Sequence, residues 1–132
     1  MSFELTETAL TDHIAEQQWG KAQRVGFTYF DSCLGLIGKS GGQVIGVHLV
    51  MVVDKLFDDE AAALAASLVL GCSEVHVIGN VYMWEDNVPA FRTMAGLVGG
   101  AWTVKADRGS GTYGGRVQGG RLQHSANGVW HA

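Results

Sequence analysis

The sequence predicts an α/β fold: one domain, a sandwich in which a mixed β-sheet packs against two main helices. Three observations predict it. Strand-like and helix-like segments follow one another in the order β-β-β-α-β-α-β-β, the pattern of a sheet with helices laid on it. Residues 43–54 (QVIGVHLVMVVD) are apolar on both faces apart from His48, as a central strand covered on both sides should be. The chain holds 19 glycines against one proline, clustered at 38–46, 96–100 and 109–120 with apolar residues between them. That points to tight turns and close backbone approaches in a sheet-rich fold rather than to a linker.

Taken in order, residues 1–20 read as an N-terminal helix or arm, with Leu10, Ile14 and Gln17 on one side. Residues 24–30 (RVGFTYF) are rich in β-branched and aromatic types and read as a strand, after which Asp31-Ser32-Cys33 should turn. Residues 34–38 are short and apolar, a second strand or a helical turn, and Lys39-Ser40-Gly41-Gly42 is a turn signal before the strand at 43–54. Asp58-Asp59-Glu60 then opens an alanine-leucine body that Gly71 stops, a helix with acidic residues at its positive end. Residues 74–81 (EVHVIGNV) alternate as a strand. Asn87 and Pro89 begin a second helix ended by Gly99 and Gly100, and 101–106 is a further strand. DRGSGTYGGR reads as a glycine loop. Residues 116–118 and 121–124 read as a hairpin over Gly119-Gly120, and the tail SANGVWHA gives no clear signal.

Composition sets the outer limits. At 132 residues, 47% hydrophobic and 17% charged, the chain 1–132 is a single globular domain with enough apolar content for a core without disulfide staples. Net charge is −4 and the nine lysines and arginines are scattered, so no nucleic-acid footprint is expected. The longest apolar run, 44–53, is too short to span a bilayer, so no membrane partner is expected. The opening is polar and acidic rather than a signal peptide, which suggests a cytoplasmic protein as made and leaves open secretion as an effector without a cleaved signal. Cys33 and Cys72 are expected to be free thiols. The apolar content decides neither for a monomer nor for a dimer.

Cys33 and His48 carry the chemistry. Each is tied to its own strand, and a glycine turn joins the strands, an arrangement that can bring a thiol beside an imidazole. The thiolate is the reactive species, and a neighbouring imidazole can take its proton. A lone buried cysteine is otherwise a small hydrophobe, and a lone histidine in an apolar strand a satisfied core residue.

The order of motifs resembles the glutamine deamidase superfamily, shared by the bacterial chemoreceptor glutamine deamidases (the CheD family) and the catalytic domains of cytotoxic necrotising factor (CNF)-type toxins. Those proteins hold a nucleophilic Cys in a short turn after a strand and a catalytic His on the next long strand. Asp31-Ser32-Cys33 matches the first element and Gly46-Val47-His48-Leu49-Val50-Met51 looks like the second. Downstream, ALAASLVLGCSEVHVIGN resembles the helix, strand and turn with Gly and Asn of the chemoreceptor family, and Thr112-Tyr113-Gly114-Gly115-Arg116 its Gly-rich loop. The resemblance covers residues 24–124 and implies a CheD/CNF-like fold. It also implies a cysteine hydrolase that deamidates a glutamine side chain on a protein substrate. In that reading Cys33 is the nucleophile and His48 the base. Thr28 is a candidate third member; a backbone carbonyl could serve instead, as in the toxins, or the third member could be absent. Backbone N–H groups around Ser32 and Leu34 would form the oxyanion site, and Tyr113 and Arg116 a wall of its mouth. The reading calls for no cofactor and no metal. An amine in place of water would give transglutamination.

Two other readings stay open. One is a catalytically silent binding module presenting Trp84 and Tyr113 on loops. The other is a small-molecule amidase or thioesterase, which should have a deep pocket where a protein deamidase has a shallow slot with Cys33 near its floor. The enzyme readings call for an accessible Cys33 with a lowered pKa. Cys72 reads as packing, His76 as solvent-facing or lining the other sheet face, and His124 and His131 as exposed. Gly109-Ser110-Gly111 lacks the GK[ST] of a phosphate loop and is expected at the mouth of the site.

Overall fold

The computed structural model describes residues 3–132. In chain order the elements are β1 (Thr6–Glu7), β2 (Gln18–Ala22), β3 (Arg24–Gly26), β4 (Leu34–Ser40), β5 (Gln43–Leu49), α1 (Asp59–Leu68), β6 (Val75–Gly79), α2 (Val81–Asn87), α3 (Ala90–Val98), β7 (Trp102–Asp107), β8 (Tyr113–Gln118), β9 (Arg121–Ala126) and β10 (Val129–His131). A six-stranded mixed sheet runs β1-β2-β5-β4-β6-β7, parallel at β1/β2 and β6/β7 and antiparallel between. A four-stranded antiparallel sheet runs β10-β9-β8-β3. The fold is α/β, with three helices. None of them, among the described residues, is long and apolar enough to cross a membrane.

The layers follow from alternation along the central strands. On β5, Ile45, Val47 and Leu49 face a core shared with Ala61, Ala62 and Ala65 of α1, Trp84 of α2 and Phe91 and Met94 of α3. Val44 on the same strand faces the other way, into a core with Ile14, Val25, Phe27, Phe30 and Leu122 between the two sheets. The six-stranded sheet is therefore the middle layer, covered on both faces, which is why its central strand reads as a continuous apolar run. Helix α1 starts where expected: the Asp58 carboxylate accepts the Ala61 amide N–H at 2.9 Å, and Asp59 and Glu60 fill the first turn.

Three expectations need correction, and two expected strands, 24–30 and 43–54, end earlier, at Gly26 and Leu49. Residues 6–22 carry two strands and a β-bridge from Ile14 to Phe27, not a helix. Leu10 is exposed and Ile14 fully buried, so the apparent helical stripe does not share a face. The stretch VYMWEDN is helix α2, not a loop, so there are three helices rather than two. Tyr113 to Arg116 lie in β8, which lengthens the expected hairpin, and only residues 108–112 remain as a loop. The tail forms β10, joined to β9 through Asn127 (φ 50°) and Gly128 (φ 84°), a two-residue hairpin turn that Asn-Gly suits.

Candidate functional site

In the β4/β5 ladder Leu34 pairs with Leu49 and Gly35 with His48. Cys33, one residue before β4, is thus the diagonal neighbour of His48. Cys33 packs with Phe30 and Ile78 between the sheets, and the His48 ring packs against Phe27 and Phe30, so both side chains lie on that face. Diagonal neighbours on one sheet face are within reach of each other's side chains. Gly35 and Gly79 make room for the arrangement. A Cβ on Gly35 would stand 2.9 Å from Phe30, whose ring lies 4.5 Å from that of His48.

The turn carrying the cysteine is held by its carbonyls. Asn80 Nδ2 donates to the carbonyl of Asp31 at 2.9 Å and to that of Cys33 at 3.3 Å, and the Asn80 N–H adds a bond to Cys33 at 3.2 Å. Trp84 Nε1 donates to the carbonyl of Ser32 at 2.9 Å, and the Ser110 hydroxyl donates to that of Asp31. In a trans peptide C=O and N–H point oppositely, so carbonyls drawn toward α2 turn the following amides the other way. Among the described residues the Ser32 and Cys33 N–H groups find no partner in the backbone.

The histidine is held as firmly. His48 Nδ1 lies 2.9 Å from the carbonyl of Ile14 and 3.5 Å from the Thr28 hydroxyl. A carbonyl only accepts, so Nδ1 carries the proton and Nε2 the lone pair. Nε2 is buried without a hydrogen-bond partner. Burial, above all, holds His48 below the ordinary imidazole range, against the Ile14 carbonyl and the charge of Glu16, which favour the cation. The cysteine departs from expectation. Cys33 is 3% exposed, and its thiol donates to Glu16 Oε2 at 3.4 Å rather than to His48. Burial first, then the bond to Glu16 and its charge, push the Cys33 pKa up to about 12, although the Asp31 N–H favours the thiolate. The lowered pKa expected from the sequence is therefore absent in this arrangement.

An open cleft of about 410 Å³ reaches Cys33, walled by Glu16, Gln17, Ser32 and Val50 to Val53. A neighbouring cleft of about 470 Å³ shares Glu16, Gln17 and Val53 and continues past Phe3, Glu4 and Thr6. Ser32 thus stands at the site as expected. Leu34 opens β4 with its side chain in the helix-side core, because alternate residues of a strand face opposite ways, so what it offers at the turn is its backbone. Tyr113 is buried and reaches His48 only through Phe30, which stacks on it at 4.7 Å. Arg116 is on the outer face of β8, its guanidinium 4.0 Å from the Trp130 ring centroid and its Nε donating to Gln123, and it does not line the cleft. The loop at 108–112 buttresses the cysteine turn from behind through Ser110 rather than lining its mouth. Trp84 is fully buried, so with Tyr113 it offers no binding loop.

Sequence reasoning missed Ile14, Glu16, Asn80 and Trp84. The Gly-Asn turn after β6 was the one visible signal for Asn80. His124, expected to be exposed, is fully buried, and His76 lines the inter-sheet face with it. Their Nδ1 atoms are 3.0 Å apart, and Arg108 Nε donates to His124 Nε2 at 3.1 Å. Cys72 is buried, and both cysteines are free. Among the described residues no three His, Cys, Asp or Glu side chains converge as a metal site. Compared with family models, curated proteins and solved structures, the chain matches none.

Proposed function

We propose that the protein is a Cys–His amide hydrolase that converts a glutamine side chain of a protein substrate to glutamate, with the three-layer fold a variant of the CheD/CNF type. The observation that carries this reading is a buried imidazole with an oriented, unpartnered Nε2, on the same sheet face as a cysteine at an open cleft. A core histidine without function would be expected to satisfy both ring nitrogens. The open cleft favours a side chain presented by a protein over a small metabolite, which a deep pocket would enclose.

In this mechanism the Cys33 side chain turns off Glu16 toward His48, and Nε2 takes the thiol proton. The sulfur attacks the amide carbon, and the Ser32 and Cys33 N–H groups stabilise the oxyanion. The C–N bond breaks as His48 returns the proton to the leaving nitrogen, releasing ammonia. Water, deprotonated by His48, then cleaves the thioester to glutamate and the free thiol. The Ile14 carbonyl keeps the imidazole in the required tautomer, the role left open between Thr28 and a backbone carbonyl.

The test is conversion of glutamine to glutamate, read by mass and by ammonia release, on a panel of glutamine-bearing peptides and proteins. Cys33→Ser and His48→Ala should each lower the rate by roughly 10²-fold or more, while Cys72→Ser leaves it unchanged. Conversion that survives Cys33→Ser sinks the reading.

A further inference from the structure

We propose that Glu16 is a latch on Cys33 that a cationic group of the substrate releases, so that the preferred glutamine lies next to a lysine or arginine. The proposal rests on the hydrolase reading above and names the substrate class for that site.

The latch is a contact. The Cys33 thiol donates to Glu16 Oε2 at 3.4 Å, while His48 Nε2, the acceptor the chemistry needs, is unpartnered. Ionising the thiol in this position would turn a donor into an anion facing a carboxylate, so the bond favours the neutral sulfur. The same short segment does both jobs. Ile14 orients the base, and Glu16, two residues on, holds the nucleophile away from it.

The key to the latch is read from the surroundings of Glu16. It is exposed and lines both neighbouring clefts. Among the described residues no Lys, Arg or His lines either cleft, and Glu4 adds a second carboxylate to the outer one. Among the described residues no cation forms an ion pair with Glu16. An exposed carboxylate with no counter-charge among the described residues, at the mouth of a cleft that none of their cations lines, is complementary to a basic side chain. Pairing with that side chain draws Glu16 from the sulfur and cancels its charge, freeing the thiol to reach Nε2. Binding energy from a residue beside the reacting glutamine is thus used to arm the nucleophile, and the thiol stays protonated until such a residue arrives.

Two measurements test it, both with Cys72→Ser in the background. The first is the rate of Cys33 alkylation by iodoacetamide between pH 6 and 10, in the parent protein, in Glu16→Gln and in Glu16→Ala. Because Glu16 is exposed, neither substitution removes a core contact. Both variants should label at least roughly tenfold faster at pH 8, equivalent to a fall of one pKa unit or more. The second is ammonia release from two peptides with a single glutamine, one flanked by lysines and the other by glutamates. The parent protein should prefer the lysine peptide by roughly tenfold or more in kcat/KM, and Glu16→Gln should reduce that preference to about twofold. Unchanged labelling in both variants overturns the latch. A preference that is absent from the parent, or undiminished in Glu16→Gln, overturns the substrate class. Turnover of neither peptide, with labelling indifferent to His48→Ala, overturns the hydrolase reading and the substrate class together, while the alkylation rates still decide the latch.

Discussion

At the scale of single residues, the candidate site is organised by acceptors more than by Cys33 and His48 themselves. The carbonyl of Ile14 accepts both the His48 Nδ1–H and, at 3.0 Å, the Thr28 N–H, so it is fixed by the backbone before it fixes the ring. Thr28 Oγ1, at 3.5 Å, is at the limit of a hydrogen bond. Thr28→Val should therefore lower ammonia release by less than about tenfold, against the roughly hundredfold or greater loss that follows removal of a group fixing a catalytic tautomer. A hundredfold loss in kcat with unchanged folding would return the role to the hydroxyl. Cys33 and His48 stood out as candidates in the sequence by residue type and spacing. The Ile14 carbonyl did not, because every residue has a carbonyl and only the tertiary path says which one meets the ring.

At the scale of elements, the junction of β6 with α2 supports the cysteine turn. Gly79 sits at φ 103°, and a Cβ there would meet the Cys33 carbonyl oxygen and Phe30 Cδ2, each at 2.8 Å. Gly79→Ala combines a left-handed backbone penalty with a backbone clash and should destabilise the fold by about 2–5 kcal/mol, read as a lowered urea midpoint. Any folded fraction should show altered Cys33 alkylation, since the clash falls on that residue's own carbonyl. A midpoint within error of the parent would mean the turn can move freely. The sequence placed β4, α1, β6, α3, β7 and the start of β5 close to their positions because alternation, an Asp cap and stop glycines are local signals, but it ran β5 on to residue 54, past its end at Leu49. It misread residues 82–87, around Trp84, as a loop because a two-turn helix leaves almost no periodicity. Its buried residues, Val81 and Trp84, are covered by contacts made elsewhere in the chain.

At the scale of the whole molecule, the two sheets are pinned together by a buried histidine pair. Arg108 only donates, so His124 Nε2 accepts, its Nδ1–H donates to His76 Nδ1, and His76 carries its proton on Nε2. Both rings are neutral, held down to about 4, chiefly by burial. Glu74 alone favours the charged form of His76. Arg121 opposes it there, and His76, Arg108 and His131 oppose it at His124. The sign is fixed: between the unfolded value of 6.5 and about 4 the unfolded chain binds protons that the folded pair refuses. Stability contributed by the pair is therefore complete above pH 6.5 and is lost as the pH falls toward 4. The loss is on the order of 3 kcal/mol for one histidine. Urea unfolding between pH 8 and 4 should show that decline. His76→Asn, which keeps an acceptor for the His124 N–H, should flatten it, and equal slopes in the two proteins would remove the pair from the account.

The sequence by itself determined the class of the fold, the apolar run that buries β5 on both faces, and the identity of the thiol and imidazole that share one sheet face. These are written in residue type and short-range period, which act before the chain folds. Only the tertiary structure decided which atoms those two groups touch: Glu16 on the sulfur, the Ile14 carbonyl on the ring, Asn80 and Trp84 behind the turn, and His124 inside rather than outside. Those partners come from segments distant in the chain. Hydrogen bonds and burial between such segments depend on how two sheets and a helix layer close on each other, a property that no local pattern of residues carries.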